Sequence, residues 1–132
     1  MVIAVRVVAG VLLLAHGLVH LLYLAPDVPE FSIGRSWLLP EPARRPVARV
    51  LMTATVAGFA LVALAVWGVP GLSAAWPALT IVACLLSMVL LAVFWDTVLV
   101  IGIVIDVALV VIAVTRPEWA DRLVGLGGGR VP

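Results

Sequence analysis

The chain is short of charge, and it contains no lysine. Charged residues make up 11% of its 132 positions, whereas a soluble domain carries roughly 25%. Hydrophobic residues account for 65% of the chain, and the mean hydropathy is +1.31. These values exclude an ordinary soluble domain and indicate an integral membrane protein. All eight basic residues are arginine, which is typical of GC-rich bacterial genomes, so we expect a multi-pass protein of the bacterial inner (plasma) membrane.

The low net charge and the single cysteine exclude further classes of function. The net charge is only +1, and the arginines are spread over several segments. The chain therefore offers no basic surface of the kind that nucleic acid requires, and we expect no nucleic-acid partner. Its one cysteine, Cys84, lies inside an apolar run, which excludes a disulfide framework and a thiol redox pair. We interpret Cys84 as a small buried packing residue.

Four apolar runs are each long enough to cross a bilayer, which takes about 20 residues per helix. They predict helices over residues 2–24, 47–68, 75–95 and 97–115. Pro46 is well placed to open the second helix, and Asp96 or Thr97 can cap the fourth. The predicted fold class is all-α, an antiparallel integral membrane four-helix bundle over residues 1–117. Residues 118–132 are expected to form an interfacial or flexible C-terminal tail.

The connection between the first two helices, residues 27–45, is too long for a tight turn. Apolar and polar residues alternate along it, a pattern that suits an element lying on the membrane surface. We predict an interfacial segment anchored by Trp37, with a lid over a ligand pocket as the alternative.

Two histidines and one aspartate lie inside the predicted spans, and ionisable residues at that depth mark function by default. With a rise of about 1.5 Å per residue, His16 and Asp106 both lie about 15 Å from the same face of the bilayer. We therefore predict that the two share a level near the midplane and face each other within direct or one-water reach. His20 lies one helical turn from His16, toward the first-loop face.

Other polar side chains occupy the same half of the bilayer and predict a central pocket that opens on the first-loop face. The residues expected to bind a ligand or to relay protons are His16, His20, Asp106, Ser87, Thr53, Tyr23 and Trp95. Those expected at the mouth of the pocket are Asp96, Arg49 and Trp37.

Four uses of these residues stay open at this point. The favoured one is binding of a small amphipathic or lipid-like ligand, whose polar head His16 and Asp106 would orient. The second is a proton relay, as in a small proton-coupled transporter. The third is a metal site made by His16, His20 and Asp106. The fourth is a purely structural pair of His16 and Asp106 that fixes helix register.

Enzymatic activity is not favoured. An isomerase or oxidoreductase would use His16 or Asp106 as a general base, but no nucleophile or cofactor motif accompanies them. No cofactor is favoured either, since two histidines on one helix cannot take opposite sides of one haem iron. The expected partners are membrane lipid and a small hydrophobic ligand, and a homo-oligomer is left open.

Residues 16–22 read HGLVHLL and follow Arg6 and a run of small residues. This motif resembles the first helix of small uncharacterised bacterial four-helix membrane proteins. The likeness extends to the third and fourth helices at Leu86, Ser87, Trp95, Gly102 and Asp106. The layout is more distantly similar to the DoxX-type bundles, which include proteins linked to quinone or thiol chemistry, and to the EXPERA-type bundles, which bind or isomerise sterols. The chain lacks an acidic residue in its first helix and a redox cysteine pair, so the resemblance implies the layout but neither activity.

Membrane orientation depends on arginine counts, and these tie, with four arginines on the first-loop side and four on the other. The amino terminus adds one positive charge, and Arg6 belongs to the first helix, which often dominates the orientation. We therefore expect both termini in the cytoplasm and a pocket that opens outward.

Overall fold

A computed structural model describes residues 1–127. Four of its helical segments are long and apolar enough to cross a membrane, namely Val2–Leu24, Glu41–Val66, Ser73–Val93 and Thr97–Thr115. The described part of the chain contains no β-strand. The predicted all-α fold with four long apolar helices is confirmed, and its composition is that of a multi-pass membrane protein.

Within residues 1–127, five α-helices follow one another, and short 3₁₀ turns extend several of them. The α-helices are α1 (Val2–Leu18), α2 (Glu41–Val66), α3 (Trp76–Val93), α4 (Val100–Thr115) and α5 (Glu118–Leu123). The 3₁₀ segments are Val19–Leu24, Pro29–Phe31, Ser73–Ala75 and Thr97–Leu99. The first of these completes the first membrane span, and the last two precede α3 and α4.

The four long helices pack in chain order. Helix α1 packs against α2, α2 against α3 and α3 against α4, whereas α1 and α4 barely approach each other. The bundle therefore has a cleft between its first and last spans, and α2 and α3 form the floor of that cleft.

Helix α2 begins earlier than its sequence indicated, at Glu41 rather than at residue 47, so Pro46 lies inside the helix. Pro42 takes the helix-opening position instead, where its missing N–H is one that no helix pairs internally. Pro46 then removes one backbone hydrogen bond close to the helix start, which a helix end tolerates better than a helix centre.

The end of α3 is capped by side chains from the first span and the connection that follows it. Trp37 Nε1 donates to Ala92 O at 2.6 Å, Ser36 Oγ to Val93 O at 2.7 Å, and Tyr23 OH to Phe94 O at 3.4 Å. The last carbonyls of a helix have no partner within it, so these bonds satisfy groups that would otherwise face the membrane boundary. They hold residues 36–37 against α3.

The segment after α4 is helical over residues 118–123, where the sequence suggested an interfacial or flexible tail. Residues 118–123 form α5, and Ala120 and Val124 are buried in a core cluster with residues of α2 and α3. Arg6 Nε donates to Leu123 O at 2.7 Å, which ties α5 to α1. The buried apolar residues of this segment therefore pack against the rest of the protein. The final five residues of the expected tail lie outside the described residues.

Candidate functional site

His16 on α1 and Asp106 on α4 meet across the cleft. Nε2 of His16 lies 2.8 Å from Oδ1 of Asp106, which is the direct contact expected from their matched depth. The Asp106 side chain is 0% exposed and the His16 side chain 11% exposed. Because α1 and α4 barely approach each other elsewhere, this hydrogen bond is a bridge between two separated helices.

Gly17 lets α1 lie close enough to α2 for this arrangement. A Cβ atom at position 17 would lie 2.6 Å from Cβ of Phe59, which is closer than carbon atoms can approach without repulsion. The Phe59 ring packs edge-on against His16, with ring centroids 4.8 Å apart, and nearly parallel to His20 at 6.4 Å. Gly17 and Phe59 therefore set the positions of both imidazoles.

His20 is fully engaged by the protein. Its Nδ1 lies 3.1 Å from the carbonyl oxygens of both His16 and Gly17, and its Nε2 lies 2.9 Å from Oγ of Ser87. Carbonyl oxygens only accept, so Nδ1 carries the hydrogen, and in the neutral imidazole Nε2 accepts from the Ser87 hydroxyl. The ring is 1% exposed. His20 therefore links the 3₁₀ end of the first span to α3 and has no ring nitrogen left for a ligand.

The two histidines do not bond to each other. Their ring centroids are 5.7 Å apart in an edge-on arrangement, and the hydrogen-bonded connection between them passes through the backbone carbonyl of His16. A backbone carbonyl does not hand a proton from one imidazole to the next, so this geometry weighs against a relay from His16 to His20. Residues 1–127 also contain no group of three or more histidine, cysteine, aspartate or glutamate side chains placed to hold a metal ion.

The second oxygen of the Asp106 carboxyl group has no partner. Oδ2 is enclosed and makes no hydrogen bond within the described residues, while the Cys84 side chain lies beside the same carboxyl group. A buried polar atom without a partner costs free energy. The second carboxyl oxygen therefore adds to the cost of burying Asp106.

The cleft between α1 and α4 holds two cavities, one on each side of His16. The cavity on the α5 side has a volume of about 290 Å³, and the one on the first-loop side about 400 Å³. Leu12, His16 and Ile105 line both. Leu12 is 64% exposed, and Ile105 is also exposed, so both cavities open sideways, toward the lipid that surrounds the helices.

The structure brings together some of the site residues that the sequence indicated and separates others. Ser87 lies next to His20 as described. Tyr23 is buried, but its hydroxyl group faces the end of α3 and lines neither cleft cavity. Thr53 does not belong to the polar layer, because it is exposed on the outer side of α2, and the buried threonine of that helix is Thr55. The expectation for Thr53 is therefore wrong.

The four residues expected around the pocket, Trp95, Trp37, Asp96 and Arg49, do not line the cleft cavities either. Trp37 and Trp95 line a separate surface cavity at the first-loop end. Asp96 accepts from the backbone N–H of Val98 at 3.1 Å and caps the start of the fourth span, and Arg49 is exposed. The cleft opens to the side of the bundle rather than along its axis, so its border is formed by exposed residues of α1 and α4.

Sequence reasoning missed the apolar residues that shape the site. Phe59 contacts both imidazoles, and Leu12 and Ile105 border both cavities, yet each is an ordinary residue of an apolar run. Only the Leu12–His16 spacing of four, which puts the two on one face of α1, could have pointed to a shared surface.

Comparison of the chain with family models, curated proteins and solved structures finds no match.

Proposed function

We propose that this protein binds a lipid-soluble small molecule in the cleft between α1 and α4. The observation that carries the proposal is the pair of apolar cavities that open toward lipid on both sides of His16. Ligand sites are mostly apolar concavities with few polar groups that fix orientation. Here the polar group is His16, and the apolar walls suit a molecule that enters from the bilayer.

His16 has one nitrogen to offer such a ligand. Nε2 bonds to Asp106, whereas Nδ1 makes no hydrogen bond within residues 1–127 and is not among the enclosed polar atoms that lack a partner. The partly exposed ring borders both cavities. A ligand in either cavity therefore lies next to a ring whose free nitrogen is Nδ1.

The net charge of the His16–Asp106 pair indicates whether Nδ1 of His16 carries a hydrogen. The pair is electrically neutral when an imidazolium faces a carboxylate, and also when a neutral imidazole accepts from a protonated carboxyl group at Nε2. In both cases Nδ1 carries a hydrogen, and a net charge at a fully buried membrane position is costly. His16 is therefore a hydrogen-bond donor toward the cleft, and the favoured ligands carry an acceptor such as a ketone, ester or ether oxygen.

Photo-crosslinking tests the proposal. The probe is a long-chain aliphatic ketone with a diazirine in its chain, applied to the full-length protein in lipid nanodiscs, and the matched probe is the same chain without the ketone. We expect the ketone to label α1 and α4 more strongly than the alkane does. Ile105→Phe fills the cleft and should abolish this labelling. Val104→Phe adds the same bulk at an exposed position that lines neither cavity and should leave it intact.

Equal labelling of the two variants would refute the proposal, and His16 and Asp106 would then be a pair that joins α1 to α4 and serves stability alone. Equal labelling by the two probes would refute the role of His16 as a donor to the ligand.

We also propose in which membrane the protein lies and how it is oriented there. The all-arginine composition supports a bacterial plasma membrane, and Arg6 with the amino terminus supports cytoplasmic termini. In this orientation the cavity on the first-loop side lies in the outer half of the bilayer. Reporter fusions at each terminus, one active only in the cytoplasm and one only outside it, test the orientation.

A further inference from the structure

A separate surface cavity lies at the first-loop end of the bundle. Its volume is about 510 Å³, and it is lined by Gly34, Arg35, Ser36, Trp37, Arg44 and Trp95. It lies at the membrane boundary, because the second span begins at Glu41 and the third ends at Val93. The cavity shares no residue with the two cleft cavities, so what it binds is independent of the proposed function.

The guanidinium group of Arg44 is held in place by backbone carbonyls. Nε donates to Leu39 O at 2.9 Å, Nη1 to Gly34 O at 2.7 Å and Nη2 to Ser36 O at 3.4 Å. Arginine has five N–H donors, so two stay unused. Carbonyl partners orient the group and leave its positive charge uncompensated, which prepares it to receive an anion.

Arg35 adds a second charge to the same cavity. Its Nη2 donates to Pro29 O at 2.8 Å, and its other donors have no partner within residues 1–127. Neither Arg35 nor Arg44 takes part in an ion pair among the described residues, and no acidic residue lines the cavity. The carboxylate of Asp96, which follows Trp95 in the chain, accepts from the backbone N–H of Val98 and forms no ion pair with either arginine among the described residues.

The tryptophans indicate the source of the anion. Trp37 is 73% exposed although its indole N–H is bonded to the end of α3, and Trp95 is exposed in the turn between the third and fourth spans. Tryptophan is enriched where acyl chains meet headgroups. Two indoles and two guanidinium groups at this level match a phosphate with the start of an acyl chain beside it, since guanidinium groups bind phosphate through paired, charge-assisted hydrogen bonds.

From this geometry we infer that the cavity binds a phosphate group, supplied by the headgroup of an anionic membrane phospholipid. The bound lipid would tie residues 34–37 and the start of α2 to one point on the membrane surface.

Native mass spectrometry of the full-length protein released from detergent tests the inference. The probes are phosphatidylglycerol, diacylglycerol with the same acyl chains and no phosphate, and inorganic phosphate as a competitor. We expect phosphatidylglycerol to be retained and diacylglycerol to be lost. Arg35→Gln should weaken retention about tenfold, the scale of one charge-assisted hydrogen bond. Arg45→Gln removes the same charge from an exposed position on α2 that does not line the cavity, and it should retain the lipid.

Displacement of the lipid by inorganic phosphate would support the same chemistry with a soluble source, and lipid that stays bound supports the headgroup. Equal losses in the two variants would overturn the inference, because the lipid would then respond to net charge alone. Retention of diacylglycerol as strong as that of phosphatidylglycerol would overturn it as well.

Discussion

Replacing Asp106 by leucine removes the hydrogen bond to His16 and keeps the branching of the side chain, since both residues have four side-chain heavy atoms in the same connectivity. The Asp106 side chain is 0% exposed and the His16 side chain only 11% exposed, so the stranded N–H of His16 gains little water. The bond itself is worth about 0.6–1.7 kcal/mol in a membrane, and the stranded donor adds about 1–2 kcal/mol. We expect Asp106→Leu to lower the free energy of unfolding by about 2–3 kcal/mol.

Asp106→Asn is the matched control. The Asn side chain can accept from Nε2 of His16, and its amide group removes the need to balance a charge at a buried position. We expect it to cost less than about 1 kcal/mol.

A double-mutant cycle isolates the pair. His16→Leu combined with Asp106→Leu replaces both partners by apolar groups, which strands no donor or acceptor, so the double variant should lose less stability than the sum of the single variants. The measurement is equilibrium unfolding in mixed detergent and dodecyl sulfate micelles, followed by far-ultraviolet circular dichroism.

Two results would contradict this reasoning. Equal losses for Asp106→Leu and Asp106→Asn would mean that no hydrogen bond is being measured. Strict additivity in the cycle would mean that the two side chains do not interact.

Four further changes test the packing around the site and the docking of α5. Gly17→Ala should lower the free energy of unfolding by about 1–3 kcal/mol, because the added methyl would lie 2.6 Å from Cβ of Phe59; a wild-type unfolding curve would contradict this. Thr55→Val should be neutral or stabilising, because its buried hydroxyl group has no partner within residues 1–127. By contrast, Thr80→Val removes a 2.8 Å bond to a carbonyl of its own helix and should cost about 1 kcal/mol in the same unfolding assay. An indole N–H and an arginine bonded to Asp121 lower the pKa of that carboxyl group, so α5 should stay docked above the ordinary range of aspartate. Its amides, measured relative to their intrinsic exchange rates, should lose protection as the pH falls through the lowered pKa. Asp121→Asn should remove this step, and a step that persists in the variant would refute its assignment to Asp121.

The depth of a residue in the membrane could be predicted from the sequence, but the face of the helix on which the residue lies could not. The contact between His16 and Asp106 follows from counting residues, because the rise per residue is constant and adjacent spans run in opposite directions. Thr53 and Thr55 lie only about 3 Å apart in depth but about 200° apart around the axis. Helix α2 is apolar on nearly all sides, so nothing in its sequence indicates which of the two threonines faces inward.

The first residue of α2 could not be predicted from the sequence for a related reason. Pro42 and Pro46 are both permitted near a helix start, and the choice between them depends on contacts that lie outside the helix. The bonds from Arg44 to the carbonyl groups of residues 34, 36 and 39 hold the preceding segment against the first turn. Those partners lie five to ten residues back along the chain, and the pattern of apolar residues gives no information about such contacts.

The cleft depends on how the helices close around the bundle, and connectivity does not specify that closure. A chain of four antiparallel spans can form a ring in which α1 touches α4, or an open row in which it does not. In a closed ring His16 and Asp106 would be one contact among many, whereas here they cross a gap whose other walls are mostly apolar. A bridge of this kind divides the gap into two cavities and places a polar ring at the border of both. A lipid-soluble molecule in either cavity therefore contacts the residue that joins α1 to α4, so occupancy of the cleft and the stability of that bridge are thermodynamically linked. Added ketone ligand should accordingly raise the resistance of the wild-type protein to unfolding and leave Ile105→Phe unchanged; a ligand that stabilises both proteins equally would be binding elsewhere.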